Sequence, residues 1–326
     1  MAKKLNFEEF QRFVEENISS LLQEQYEDVE VTLLTVKKNN GALFHAVGFK
    51  KKNSNIAANL YLEKPFHEYE NGSNLLIITQ QIAKEIVKGL EKSKEYETIA
   101  RDMLDFDFVK DKIIMVAVNE EKNRELLTKV PHKQQLDLAI IYKVCLKCDK
   151  GVETIYIKNK YLEKWGVTMK EIHKLAIKNT QRLFPAMIMN SAVILKEQLL
   201  SNTDDECLIQ LLLQMIEETP EIQQMYVVTN EQKTNGAGCI FYDGVLDALA
   251  AKIGTDLYVF PSSIHECMVI SVNIGTPDMC DRIIKDVNRN GVSEMELLSD
   301  NAYFYDAKQK TLNIAHNMPF DIKGIK

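Results

Sequence analysis

The sequence predicts an α+β protein with mixed or antiparallel sheets and helices packed on them. Three observations carry that expectation. Short alternating apolar runs are separated by turn residues, amphipathic runs of helical period lie between them, and apolar residues make up 45% of the chain against 27% charged. A chain of 326 residues can hold one large domain or two ordinary ones.

The first helix should open at Asn6, with Glu9 three residues on in capping-box spacing and Phe7, Phe10, Val14, Ile18 and Leu21 along one face. Strands are expected over 30–36, 43–50 and 56–62. The first two are joined through Asn39-Asn40-Gly41, a hairpin signal, and their lysine clusters read as protected strand ends. A helix over 74–90 presents Ile78, Ile82 and Ile86, residues 93–110 are acidic and partly helical, and Ile113–Val118 is a buried strand. The polar stretch 119–132 places the softest boundary near 120, giving an N-terminal α+β region (1–120) and a C-terminal α+β domain (121–326).

A second hairpin is expected from 138–145 and 153–158. Gly166 should stop a short helix over 161–165. Thr168 and Glu171 then form a capping box stapled by Val167 and Ile172, opening a helix that ends near Arg182 before Pro185. Helices follow over 193–200 and 205–218. The remainder is strand 225–229, strand 239–242, helix 245–253 capped by Gly254, strands 257–260 and 268–273, helix 277–288 and a hairpin over 303–315.

Several function classes are excluded at this level. The longest apolar run, Ile113–Val118, is far too short for a membrane span, and the polar start carries no apolar leader, so the expectation is a cytoplasmic protein without a membrane role. Its six cysteines are expected as reduced thiols. Cys145-Leu-Lys-Cys148 lacks the second pair that a zinc ribbon needs, and a late-strand position does not suit a redox motif. No histidine pair has metal-ligand spacing and no phosphate-binding glycine motif is complete, so neither metal nor cofactor is expected. Net charge is −4 over 1–120, +7 over 121–182 and −10 over 183–326. The basic middle reads first as a solvated lysine-rich face; polyanion or nucleic-acid binding there is the weaker alternative.

The candidate site falls in the C-terminal part. The turn around Asn230, Lys233, Asn235 and Gly236 has residues suited to left-handed backbone and close approach. Ser262, Ser263, His265 and Glu266 follow a strand end and bring hydroxyls, an imidazole and a carboxylate together. The plainer reading is a serine-capped turn. The leading functional reading is a binding or interaction protein, with an unknown protein or small-molecule partner in a cleft between 230–238 and 261–266. The alternative is a hydrolase using Ser262, Ser263 or Cys239 with His265 as base.

The blocks Val130-Pro-His-Lys133, Leu136-Asp-Leu138, Trp165-Gly-Val167 and Asn179-Thr-Gln-Arg-Leu-Phe-Pro185 resemble an uncharacterised bacterial family, domain of unknown function 5688. So do Met225-Tyr-Val-Val-Thr-Asn230, Lys233, Asn235-Gly-Ala237 and Tyr258 with Pro261-Ser-Ser-Ile-His-Glu266. The likeness covers most of the chain and is sharpest over 113–316, with Gln181 where the family pattern has proline and Lys133 where it has arginine. The Trp-Gly helix and closing strand-loop bear a fainter similarity to unknown-function family 1444. The resemblance implies a cytosolic bacterial protein and brings no activity, cofactor or catalytic residue.

Overall fold

The computed structural model describes residues 4–23, 26, 28–54, 56–147, 152–194, 210, 211, 214 and 218–317. The chain forms two compact units, 1–106 and 107–326. The division lies upstream of the polar stretch 119–132, which is internal to the second unit because the strand before it pairs with the strand after it.

In the first unit, α1 (Phe7–Gln23) starts as its sequence dictates. The Glu9 N–H donates to Asn6 Oδ1 at 2.9 Å and the Asn6 N–H donates to Glu9 Oε2 at 2.8 Å, so each satisfies a donor the helix leaves open. Strands β1 (Val29–Lys37), β2 (Leu43–Lys51) and β3 (Ala58–Tyr61) form an antiparallel sheet in that order. Asn40 and Gly41 both take left-handed φ (58° and 78°), the geometry a tight hairpin turn needs to match strand twist. Helix α2 (Glu63–Glu70) precedes α3 (Leu75–Glu91), which Asn74 caps, and α4 (Ser93–Asp102) follows. Phe10, Val14, Ile18 and Leu22 of α1 pack with Ile78, Ile82, Ile86 and Leu90 of α3 over Val47 and Phe49 of the sheet.

The short α5 (Phe106–Val109) lies at the division, and the described residues of the second unit form two sheets. In the first, β6 (Leu138–Lys147) is central, flanked by β4 (Ile113–Asn119) on one side and by β5 (His132–Gln135) and β7 (Glu153–Tyr156) on the other. The single turn α6 (Arg124–Leu127) lies between β4 and β5. Helix α7 (Asn159–Trp165) stops at Gly166 (φ 67°), and α8 (Met169–Leu183) begins with the expected Thr168–Glu171 capping box. Helix α8 docks on β4 through polar side chains: Thr180 Oγ1 accepts the Met115 N–H, and Asn179 Nδ2 donates to the Ile113 carbonyl.

The second sheet has the order β13-β12-β10-β11-β9-β8. It comprises β8 (Ala186–Asn190), β9 (Tyr226–Asn230), β10 (Leu257–Phe260), β11 (Cys267–Ser271), β12 (Tyr303–Asp306) and β13 (Thr311–Ile314). Helices α9 (Val245–Ile253) and α10 (Pro277–Gly291) complete the unit. Every named strand pair is antiparallel, so of the two sheet types expected only one is found.

Three local expectations are corrected. Residues 239–242 form no strand: Gly236–Phe241 is a 3-10 helix whose residues 236–240 are all buried, without the alternation of a half-buried strand. Strand β8 was not anticipated, because Ala-Met-Ile-Met-Asn at a sheet edge carries little alternation. Cys239, Cys267 and Cys280 are free and buried, but Cys145 is disulfide-bonded, with its other half outside the described residues. The helices expected over 193–200 and 205–218 fall largely outside the described residues.

Candidate functional site

Topology brings the two predicted loops together. Strands β9 and β10 both run antiparallel to β11 and flank it, so their C-terminal ends emerge at the same end of the sheet. The loop after β9 therefore meets the loop joining β10 to β11.

The first loop is built by its own polar residues. Asn230 is buried; its Nδ2 donates to the Thr234 carbonyl at 2.8 Å and its Oδ1 accepts the Thr234 N–H at 3.2 Å. Lys233 and Asn235 both sit at φ 51°, a conformation asparagine tolerates better than most residues. Gly236 presses against the second loop. A Cβ there would lie 2.7 Å from Asn230 N and 2.7 Å from the His265 carbonyl oxygen, far inside van der Waals contact.

The loops are stitched by three bonds. Thr229 Oγ1 donates to the His265 carbonyl at 2.8 Å, the Ala237 N–H to the Ile264 carbonyl at 3.1 Å, and the Asn235 N–H to His265 Nδ1 at 3.3 Å. A third segment, 296–299, runs antiparallel to 261–264. The Ile264 N–H donates to the Glu296 carbonyl, and the Leu298 and Ser299 N–H groups donate to Ser262 and Pro261.

His265 is thereby fixed on both sides. Because Nδ1 accepts a backbone N–H, the proton of the neutral ring sits on Nε2, which faces Glu296 Oε1 at 3.6 Å. Among the described residues, neither ring nitrogen meets a hydroxyl. Ser263 Oγ instead accepts the His265 N–H at 3.1 Å, the local turn bond that serine favours, and Ser262 is buried. Cys239 lies in the 3-10 helix with no exposed surface, and burial pushes its thiol up to about 11. That keeps it out of the reactive thiolate form. Lys233 and Glu266 are exposed. All eight predicted residues thus lie on these two loops, with Asn230, Asn235, Gly236 and Ser263 holding the backbone and Lys233, His265 and Glu266 reaching the surface.

A polar centre that no local sequence pattern announces lies on the segment following 296–299. Asp137 accepts from Ser299 Oγ (2.6 Å), Asn301 Nδ2 (3.0 Å) and Tyr303 Oη (2.5 Å), and burial raises the Tyr303 hydroxyl well above its ordinary pKa. Asp137 also lines a cavity of about 550 Å³ together with Glu120, Glu121, Arg124, His132 and neighbours. The available signal was Leu136-Asp137 directly before a strongly apolar strand, but the adjoining stretch read as a connector. Among the described residues, no group of three or more His, Cys, Asp or Glu side chains is arranged to hold a metal ion.

In the basic segment, many cations meet partners within the chain. Lys129 pairs with Glu125, Arg124 with Glu121 and Lys147 with Glu153, while Lys143 lies over the Tyr156 ring. Lys133 Nζ lies 3.2 Å from His173 Nε2, whose Nδ1 is 3.0 Å from Tyr142 Oη. An ammonium can only donate, so Nε2 accepts and Nδ1–H donates to Tyr142. Burial, and then the Lys133 charge, hold the His173 pKa below its usual value.

Fold and site together define an α+β protein whose second unit presents a surface built from three stitched loop segments. The chain belongs to a family of unknown function, DUF5688, whose model matches residues 7–307. No curated protein and no solved structure matches it. No helix among the described residues is long and apolar enough to cross a membrane.

Proposed function

We propose that the chain is a non-enzymatic interaction protein, with the loops 230–238 and 261–266 as the face that receives a partner. The commitment of His265 carries this reading. One ring nitrogen is held by the Asn235 backbone and the other faces Glu296, so among the described residues the His265 ring is bonded to no hydroxyl or thiol that it could activate. The cytoplasm of a bacterium is the setting this reading assumes, and it rests on the family resemblance.

A benzophenone side chain in place of Lys233 tests it in cells. The expected result is a discrete crosslinked species that disappears with Glu266→Lys and does not form from the same probe at Lys308. Equal crosslinking from both positions, or none from position 233, overturns the assignment of this face.

A further inference from the structure

Two long strands stand at sheet edges, β1 and β4, and their outward backbones differ. That of β4 is satisfied by α8, through Thr180 Oγ1 on the Met115 N–H and Asn179 Nδ2 on the Ile113 carbonyl. The β1–β2 register runs unbroken from Val29↔Lys51 to Lys37↔Leu43. Just beyond its two ends, the Lys52 N–H donates to the Asp28 carbonyl and the Lys38 N–H to the Ala42 carbonyl. The even-numbered residues of β1 therefore bond β2, and the odd-numbered ones turn their N–H and C=O groups outward. Among the described residues, nothing bonds the outward backbone groups of Val31, Leu33 and Thr35.

Open edges are ordinarily blunted by shortness, proline, a bulge or a charge within the strand. Strand β1 is 9 residues long and its register has no bulge. Its middle, Val31-Thr-Leu-Leu-Thr-Val36, holds neither proline nor charge. The charges gather at the ends, Asp28 and Glu30 at one and Lys37 and Lys38 at the other. Glu30 is engaged by Lys50 of β2 at 3.0 Å.

We propose that this edge pairs antiparallel with the same edge of a second copy of the chain, joining their sheets into one. A two-fold axis perpendicular to the sheet keeps each face on its own side, and outward residues must meet outward residues. The register centred on Leu33 meets both conditions and uses the whole strand. Leu33 then faces Leu33 of the second copy, Val31 faces Thr35 and Val29 faces Lys37. The same register sets Asp28 opposite Lys38 at both ends, a favourable cross-strand pair made twice. An acid at one end and a base at the other match themselves only when the strands run antiparallel. The end lysines thus turn away strands that lack an acid there and admit a second copy. This edge belongs to the first unit, and the proposal stands apart from the loop face of the second.

Sedimentation velocity of the full chain over the micromolar range tests it. The expected result is a reversible monomer–dimer equilibrium. Thr35→Pro removes an outward donor and no bond to β2, and should raise the dimer Kd at least tenfold, with circular dichroism reporting that the fold is kept. Lys38→Glu and Asp28→Lys each place like charges opposite one another at both ends, so each alone should dimerise severalfold more weakly. Mixed, the two variants regain both opposite-charge pairs and should form a heterodimer as tight as the wild-type dimer. This exchange tests the register even if Thr35→Pro fails to fold. A chain that stays monomeric throughout overturns the proposal. So does a dimer that neither Thr35→Pro nor the charge variants weaken, or a mixture no tighter than either variant alone.

Discussion

Replacing Gly236 by alanine adds one methyl group where the folded loops leave no room. The new Cβ would sit 2.7 Å from both Asn230 N and the His265 carbonyl oxygen, against a comfortable separation of about 3.5–4 Å. Both contacts are backbone atoms, so relief requires shifting the loops themselves. Overpacking of this kind costs about 1–3 kcal/mol. Separating the loops also weakens the Thr229–His265 and Ala237–Ile264 hydrogen bonds, worth about 1 kcal/mol each. Against this, alanine reduces unfolded-chain entropy and returns about 0.4–1 kcal/mol. The net expectation is a loss of about 1–3 kcal/mol, which in a unit of this size lowers Tm by about 2–4 °C per kcal/mol. Thermal unfolding followed by circular dichroism measures it. Gly238→Ala is the matched control, because a Cβ there meets nothing within 4 Å. A Gly236→Ala protein as stable as wild type, or as stable as Gly238→Ala, would refute the close stitching of the two loops.

Thr168→Ala should cost about 0.5–2 kcal/mol through loss of the α8 cap, and Glu171→Ala added to it should cost little more, as a double-mutant cycle would show. Asp137→Asn leaves at least one of the Ser299, Asn301 or Tyr303 donors facing an amide nitrogen. A loss of about 1–3 kcal/mol in denaturant unfolding is expected. His173 has a folded pKa below its unfolded value, so the unfolded state binds the proton more tightly. Stability is complete above the ordinary histidine pKa of about 6.5 and falls as pH drops through the folded pKa. His173→Gln should flatten that acid limb; an unchanged limb would contradict the Lys133–His173–Tyr142 arrangement.

Much of the fold is legible because its signals are local. Asn6 with Glu9, Thr168 with Glu171, Gly166 and the Asn40-Gly41 turn each act within a few residues, and each is found as expected. The four-residue spacing of Phe10, Val14 and Ile18 likewise fixes one buried face. What escapes the sequence is pairing across long separations. The segment 296–299 beside 261–264 and the Asp137–Tyr303 bond join residues with no local pattern to announce them. Cys239–Tyr242 misread as strand because apolar β-formers also fill a buried 3-10 turn. At the site, residue type revealed which positions need unusual backbone, Asn235 and Gly236 among them. The serine-capped turn read from the sequence is found at Ser263, a local bond, whereas the hold of the Asn235 N–H on the His265 ring was not legible, since it depends on the facing loop.

In the proposed reading His265 is a fixed surface group without a nucleophile to activate. Treating the native protein with a fluorophosphonate and an iodoacetamide probe, then mapping labelled residues in wild type and His265→Ala, tests this directly. The prediction is that Ser262, Ser263 and Cys239 stay unlabelled in both proteins. Labelling of any of the three in wild type that is lost in His265→Ala would contradict it and establish a hydrolytic centre instead.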